Sequence, residues 1–238
     1  MAICCVSEKI QTAYLRNTLR ALDFFASLHL TIFERPANFE FFNSQIWGTG
    51  KLFPLCSSSV NSPEFKMKLK GQRVLMFVDH VYEDMELLYP YYRLIEEGAE
   101  VVVAGPQAGV VYTGKNGYPF KSTAAIADQQ AKDFDLLVIA GGFAPDKLRR
   151  DPKVLELTRE MHEAGKIVAH ICHGGWIPIS AGIMKGFTCT STPGIKDDLV
   201  NAGATWVDKE VVVDRNQISA RKPDDLPAFC RAIIAQAE

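Results

Sequence analysis

Residues 67–238 predict an α/β domain with a mostly parallel sheet between two helical layers and a cysteine at a strand-to-helix turn. Three observations lead there. Short apolar runs alternate with amphipathic helical stretches, the pattern of a parallel sheet buried on both faces. Helical stretches stop at glycine, the residue that most readily closes a helix. The chemistry-bearing residues follow strand ends, where open α/β sheets place their sites.

Taken in order, residues 73–78 form a short apolar run and predict the first strand. Residues 83–97 show helical spacing of Met85, Leu88, Tyr92 and Ile95 and end at Gly98. Residues 101–104 predict the next strand. Residues 110–119 contain Asn116-Gly117, a hairpin signal. Residues 136–140 are an apolar strand running into Gly141-Gly142, and residues 152–163 a helix closed by Gly165. A further buried strand, 167–171, leads directly into Cys172. Residues 177–182 continue as helix, 188–190 and 210–213 as late strands, and 226–235 as a closing helix.

Residues 1–66 lack this order. They hold apolar clusters (Phe24 with Phe25, Phe41 with Phe42, Leu52 with Phe53), a helix-like stretch at 11–30 and a Ser-rich loop ahead of Pro63. Lys9, Arg16 and Arg20 bring a targeting segment to mind, but Glu8 and Asp23 lie among them, and transit peptides are poor in acids. The segment is expected to be an extension outside the main core. A targeting segment, or a start at Met67, are the alternatives.

Composition narrows the function. Hydrophobic residues make up 47% and charged residues 23% of the 238, with a net charge of −2. That is an ordinary globular balance and not the basic face of a nucleic-acid binder. No apolar run reaches the roughly 18–20 residues that span a bilayer. The six cysteines (Cys4, Cys5, Cys56, Cys172, Cys189, Cys230) contain no CxxC pair or zinc spacing. Free thiols in a reducing, cytoplasmic setting are expected, with no metal or cofactor.

Cys172-His173-Gly174-Gly175 follows a strand and precedes a helix. This is the layout of a nucleophile elbow; a buried structural cysteine is the alternative. Amides and the helix end beyond the turn favour thiolate. The His173 N–H is placed to hold an oxyanion and its ring to carry protons. Gly142 offers a second N–H, although Gly141-Gly142 taken alone reads first as a simple tight turn. Glu83, Asp84 and Glu86 open a helix, where acids suit the dipole. A carboxyl facing a thiol would instead have a raised pKa and shuttle protons.

Six segments carry a family resemblance: Tyr82-Glu83-Asp84-Met85-Glu86-Leu87-Leu88-Tyr89-Pro90; Thr113-Gly114-Lys115; Gly141-Gly142-Phe143-Ala144-Pro145; Ile171-Cys172-His173-Gly174; Pro193-Gly194-Ile195-Lys196-Asp197-Asp198; and Asn201-Ala202-Gly203-Ala204-Thr205-Trp206-Val207-Asp208. On these the chain resembles the PfpI-type intracellular cysteine protease and deglycase family of the class I glutamine amidotransferase-like superfamily. The resemblance runs from about Gly71 to Ala237.

The resemblance implies a three-layer flavodoxin-like sandwich. It implies Cys172 as nucleophile, His173 as its neighbour, Glu86 as the acid facing the sulfur, Glu83 as a second acid, and Gly142 as oxyanion glycine. It further implies a homo-oligomer, dimer or hexamer, in which an acid aligned with Asp146 reaches a neighbouring subunit's site. Asp146 stands where the family has glutamate, Thr192 where it often has tyrosine, and Trp176 where it often has a smaller or polar residue. Phe143 joins Trp176 and Thr192 as candidate pocket lining. His170 replaces a small residue and reads as a satisfied core histidine. The implied activity is cysteine chemistry on small carbonyls or early glycation adducts, without glutathione. Peptide or amide hydrolysis is the alternative, and redox sensing or chaperone-like holding a third. Neither nucleic acid nor membrane is an expected partner.

Overall fold

The computed structural model describes residues 67–238. The extension expected at 1–66, with its helix-like stretch at 11–30, lies outside the described residues.

The chain runs through strand β1 (Arg73–Phe77), helix α1 (Asp84–Glu96), strands β2 (Glu100–Gly105), β3 (Val111–Thr113), β4 (Pro119–Lys121), β5 (Ala124–Ala125) and β6 (Leu136–Ile139), helices α2 (Ala144–Leu148) and α3 (Pro152–Glu163), and strand β7 (Ile167–Ile171). Helix α4 (Trp176–Ser180), strand β8 (Thr188–Cys189), helix α5 (Lys196–Asn201), strands β9 (Thr205–Trp206), β10 (Val211–Asp214) and β11 (Gln217–Ala220), and helix α6 (Leu226–Ala237) follow.

Seven strands form the main sheet in the order β10-β11-β7-β6-β1-β2-β5. Every neighbouring pair is parallel except the hairpin β10–β11. Helix α1 packs with α6, and α3 with α4, so helices flank the sheet. Val74, Leu75, Met76, Leu137, Val138, Val168, Ala169 and Ile218 are all fully buried. With both faces covered, strands read as continuous apolar runs rather than alternations. That is why β1, β6 and β7 were legible in the sequence.

The short elements β5, β9, α2 and α5 are not in the sequence reading, and two strands depart from it. Strand β11 was missed, because Gln217-Ile218-Ser219-Ala220 has no apolar run, yet all four residues are buried. The late strand at 188–190 shrinks to β8 and pairs with β9 in a separate two-stranded sheet. The hairpin at Asn116-Gly117 is present, with β3 and β4 antiparallel and Gly117 at φ +92.

Chain direction explains where the site forms. From β1 the sheet grows one way through β2 and the other way through β6. Ligands in such sheets bind beyond the strand ends at this switch point. The segments leaving β1, β6 and β7 bring Glu86, Gly141 and Cys172 together there. No helix among the described residues is long and apolar enough to cross a membrane.

Candidate active site

Strand β7 ends in Cys172, which adopts φ +57. This left-handed region is rare for a residue with a side chain and marks stored strain at functional turns. A 3-10 turn, Cys172–Gly175, then enters α4. The sharp elbow expected from the sequence is therefore present. The ring of His173 turns back to its neighbour, with Nδ1 3.3 Å from Cys172 Sγ.

Glu86, in the first turn of α1, is fully buried. One carboxylate oxygen accepts the Gly141 N–H at 2.8 Å, and the other has no hydrogen-bond partner in the protein. Burial pushes Glu86 up to about 8, with the nearby Glu83 charge adding to the rise. The carboxyl is therefore mostly in its acid form at neutral pH, as expected of a group facing a thiol. Pro90 lies inside α1, so the Glu86 carbonyl has no i+4 amide to receive.

The thiol itself departs from expectation. The amides of His173 and Gly142 pull the Cys172 pKa down, as an elbow should. Burial, first, and the Glu86 charge, second, outweigh them and push the thiol up to about 12. Burial thus favours a protonated thiol beside a protonated Glu86, rather than a standing thiolate.

Gly141 makes this closeness feasible. A Cβ there would lie 2.5 Å from Glu86 Oε2, 2.9 Å from Cys172 Cβ and 3.0 Å from the His173 nitrogen. Gly142 sits at φ +80, and its loop is stitched to the segment before α1. Glu83 N–H donates to the Gly141 carbonyl at 3.1 Å, and Phe143 N–H to the Val81 carbonyl at 2.8 Å.

The three acids of α1 separate into three roles. All are buried. Glu83 forms an ion pair with Lys115. Asp84 accepts from Asn116 N–H at 2.9 Å, Asn116 Nδ2 at 3.0 Å and Tyr118 N–H at 3.0 Å. Burial pushes Asp84 up, but these bonds hold it below the usual carboxylate range. It thus fixes the β3–β4 turn that carries Lys115. Lys115 was not among the sequence candidates, although Thr113-Gly114-Lys115 lies in the resembling segments. Its charge bears on Cys172 and Glu86, and it joins burial in lowering His173.

Two of the three pocket candidates, Phe143 and Trp176, gather around His173. Phe143 is 62% exposed and stacks on the His173 ring, centroids 6.3 Å apart. Trp176 meets the same ring at 5.0 Å. Its indole N–H donates to Asp198 at 2.8 Å, and the Arg149 guanidinium lies 5.5 Å over it. Thr192 directly precedes the turn Pro193–Ile195; the Cβ position of Gly194 in that turn is 3.6 Å from His173 Nε2. Asp146 is not brought to the cluster within the chain. Its carboxylate pairs with Arg150 one turn along, and among the described residues it makes no bond with His173.

His170 is a core residue, but not a satisfied one. It is fully buried, and neither ring nitrogen has a hydrogen-bond partner in the protein. Burial pulls it down to about 4, so it is neutral at physiological pH. Cys172 is half-buried, while Cys189 and Cys230 are buried; all three are free. Among the described residues no three His, Cys, Asp or Glu side chains are gathered where they could hold a metal ion.

The chain is similar to known proteins over this whole stretch. A deglycase of Pyrococcus abyssi is 49% identical over 162 residues, which cover 68% of this chain and 97% of that protein. Deglycase PfpI of Pyrococcus furiosus is 47% identical over 162 residues, with the same 68% and 97% coverage. Among solved structures, a two-domain protein of Anabaena variabilis with DJ-1/ThiJ/PfpI-like and ferritin-like domains matches at 37% identity and a TM-score of 0.68. That match covers 69% of this chain and 48% of the two-domain chain. The DJ-1/PfpI family profile matches residues 72–236, a stretch that holds the elbow, the buried glutamate and both glycines, and the chain belongs to the DJ-1/PfpI family.

Proposed function

We propose that the chain is a cysteine-dependent enzyme acting on small reactive carbonyls and on early glycation adducts, without glutathione. One observation carries this reading: a buried Glu86 in its acid form faces Cys172 while two backbone amides converge on the sulfur. The relatives named deglycase support it.

The chemistry follows from the positions. His173 Nδ1, 3.3 Å away, accepts the thiol proton. The sulfur adds to the aldehyde carbon, and the carbonyl electron pair moves to oxygen. The amides of Gly142 and His173 hold that oxygen, and Glu86 protonates it to give a hemithioacetal. The Glu86 carboxylate then removes the hydrogen of that carbon as a proton and returns it to the adjacent keto carbon. The hydroxyl proton moves in the same sense, to the keto oxygen, leaving a thioester beside a new hydroxyl. Water cleaves the carbon–sulfur bond and restores the thiol. The net change is α-oxoaldehyde plus water giving a 2-hydroxy acid, lactate in the case of methylglyoxal. A glycation adduct would release its amine as well.

Peptide hydrolysis ranks second. It needs an acid to orient His173, and Asp146 is engaged by Arg150. Peroxide sensing ranks third, because a thiol raised to about 12 is a slow target. The free thiols support a reducing cytoplasm. We also propose a homo-oligomer. The exposed Met85, Tyr92 and Ile95 of α1 offer apolar surface for a second copy; a native mass of one chain would exclude it.

The test is methylglyoxal loss and lactate gain in glutathione-free buffer, wild type against Cys172→Ser. Turnover that disappears in the variant supports the reading. Absence of turnover in the wild type overturns it and leaves peptide amides as the next substrate.

A further inference from the structure

Phe143 is the most exposed large apolar side chain among the described residues, at 62%. It directly follows Gly142, whose amide faces the sulfur, and it is anchored rather than loose. Its N–H donates to the Val81 carbonyl at 2.8 Å, and it stands at the entrance to α2. Val81, itself 38% exposed, extends the apolar rim beside it.

The ring has a counterpart. Phe143 lies nearly parallel to His173, with an interplanar angle of 21°, and Trp176 closes on the other partner of that contact at 5.0 Å. His173 follows the nucleophile just as Phe143 follows the oxyanion donor. A carbonyl carbon bonded to Cys172, with its oxygen on the amides of Gly142 and His173, therefore projects its substituent toward flat apolar surface. A strongly hydrated substituent laid against the Phe143 and Trp176 rings would give up water to apolar surface. An aromatic one would stack on the rings.

Resting on the function proposed above, we infer that the site selects carbonyl substrates with an aromatic or other flat apolar substituent, and that Phe143 is the specificity-determining residue. Phenylglyoxal is the simplest such substrate. It would follow the same balanced course: a carbon–sulfur bond forms at the aldehyde carbon, the hydrogen of that carbon moves to the adjacent carbon, and water releases mandelate and the thiol.

The test compares initial rates on phenylglyoxal and methylglyoxal for the full chain, Phe143→Ala and Phe143→Tyr. The wild type is expected to favour phenylglyoxal in kcat/KM by about tenfold or more, within the range one apolar group contributes to discrimination. Phe143→Ala should bring that ratio close to one, and Phe143→Tyr should keep it. A wild-type ratio near one, or a ratio unmoved in Phe143→Ala, overturns the inference. A second measurement does not need the proposed reaction. Iodoacetanilide and iodoacetamide both alkylate a thiol by displacing iodide, and only the first carries a ring. The preference of Cys172 for iodoacetanilide should be high in the wild type and fall in Phe143→Ala. If neither glyoxal turns over but this preference holds, the aromatic rim stands and the carbonyl reaction fails. If the alkylation preference is unaffected by Phe143→Ala, the rim fails whatever the reaction.

Discussion

Glu86 and Cys172 meet across Gly141, whose missing side chain is the space that brings them together. The glycine N–H binds Glu86 Oε2 at 2.8 Å, and a Cβ on the same residue would sit 2.5 Å from that oxygen and 2.9 Å from Cys172 Cβ. Acid, nucleophile and the strand end after β6 are one steric unit.

Gly141→Ala should therefore separate acid and thiol. Displacements of about 1 Å in a catalytic pair cost on the order of 100-fold in rate. Lactate formation from methylglyoxal is expected to drop by that order. Thermal unfolding should show a loss of about 1–3 kcal/mol from crowding of the buried site. A variant with wild-type turnover would show that the closeness is incidental.

The pH dependence of turnover follows from the two raised values. The proposed reaction uses Cys172 as thiolate and Glu86 as acid. Below about 12 the thiolate fraction rises with pH; above about 8 the Glu86 acid is lost. The two trends multiply to a rate that climbs to near pH 8 and then levels. A kcat/KM profile of this shape is expected. A maximum at mildly acidic pH would contradict the assignment.

Stability should respond to His170. Its folded value, about 4, lies below the ordinary 6.5. A group lowered by folding contributes stability that is present above 6.5 and lost as pH falls toward 4. The shift corresponds to roughly 3 kcal/mol. Denaturant midpoints should fall between pH 6.5 and 4, and His170→Phe should flatten that interval. An equal slope in both proteins would mean other groups carry the acid sensitivity.

Lys115→Met isolates a pairing the sequence did not announce. It strands the buried Glu83 carboxylate, at an expected cost of about 1–3 kcal/mol, less than for a fully buried pair because Lys115 is part-exposed. Lys115 also lowers His173, so the His173 titration followed by NMR should move up in the variant. An unmoved His173 would place the Lys115 charge too far away to matter.

Much of the site was legible because its parts follow strands that announce themselves. Cys172 and Gly141-Gly142 stand at the ends of the apolar runs β7 and β6, and the resembling segments pointed to Glu86. Three things were hidden. The division of labour among Glu83, Asp84 and Glu86 depends on which way each side chain turns from one helix start. Lys115 is contributed by a hairpin turn held by Asp84, a contact between residues far apart in sequence. The raised Cys172 thiol reflects burial outweighing two amides, a balance that local sequence does not display. In the fold, β11 escaped notice because two of its four buried residues, Gln217 and Ser219, are polar and break the apolar run.

The most direct test of the Cys172–Glu86 pairing is methylglyoxal turnover by Glu86→Gln, with iodoacetamide alkylation of Cys172 as the control. Lactate formation should fall by about 10²–10⁴-fold, the usual contribution of a positioned acid–base group. At pH 9 the Cys172 thiol should still alkylate, and faster than in the wild type, because the charge that raises its pKa is gone. Glu86→Gln that makes lactate at the wild-type rate, or leaves the thiol reactivity unchanged, would contradict the account.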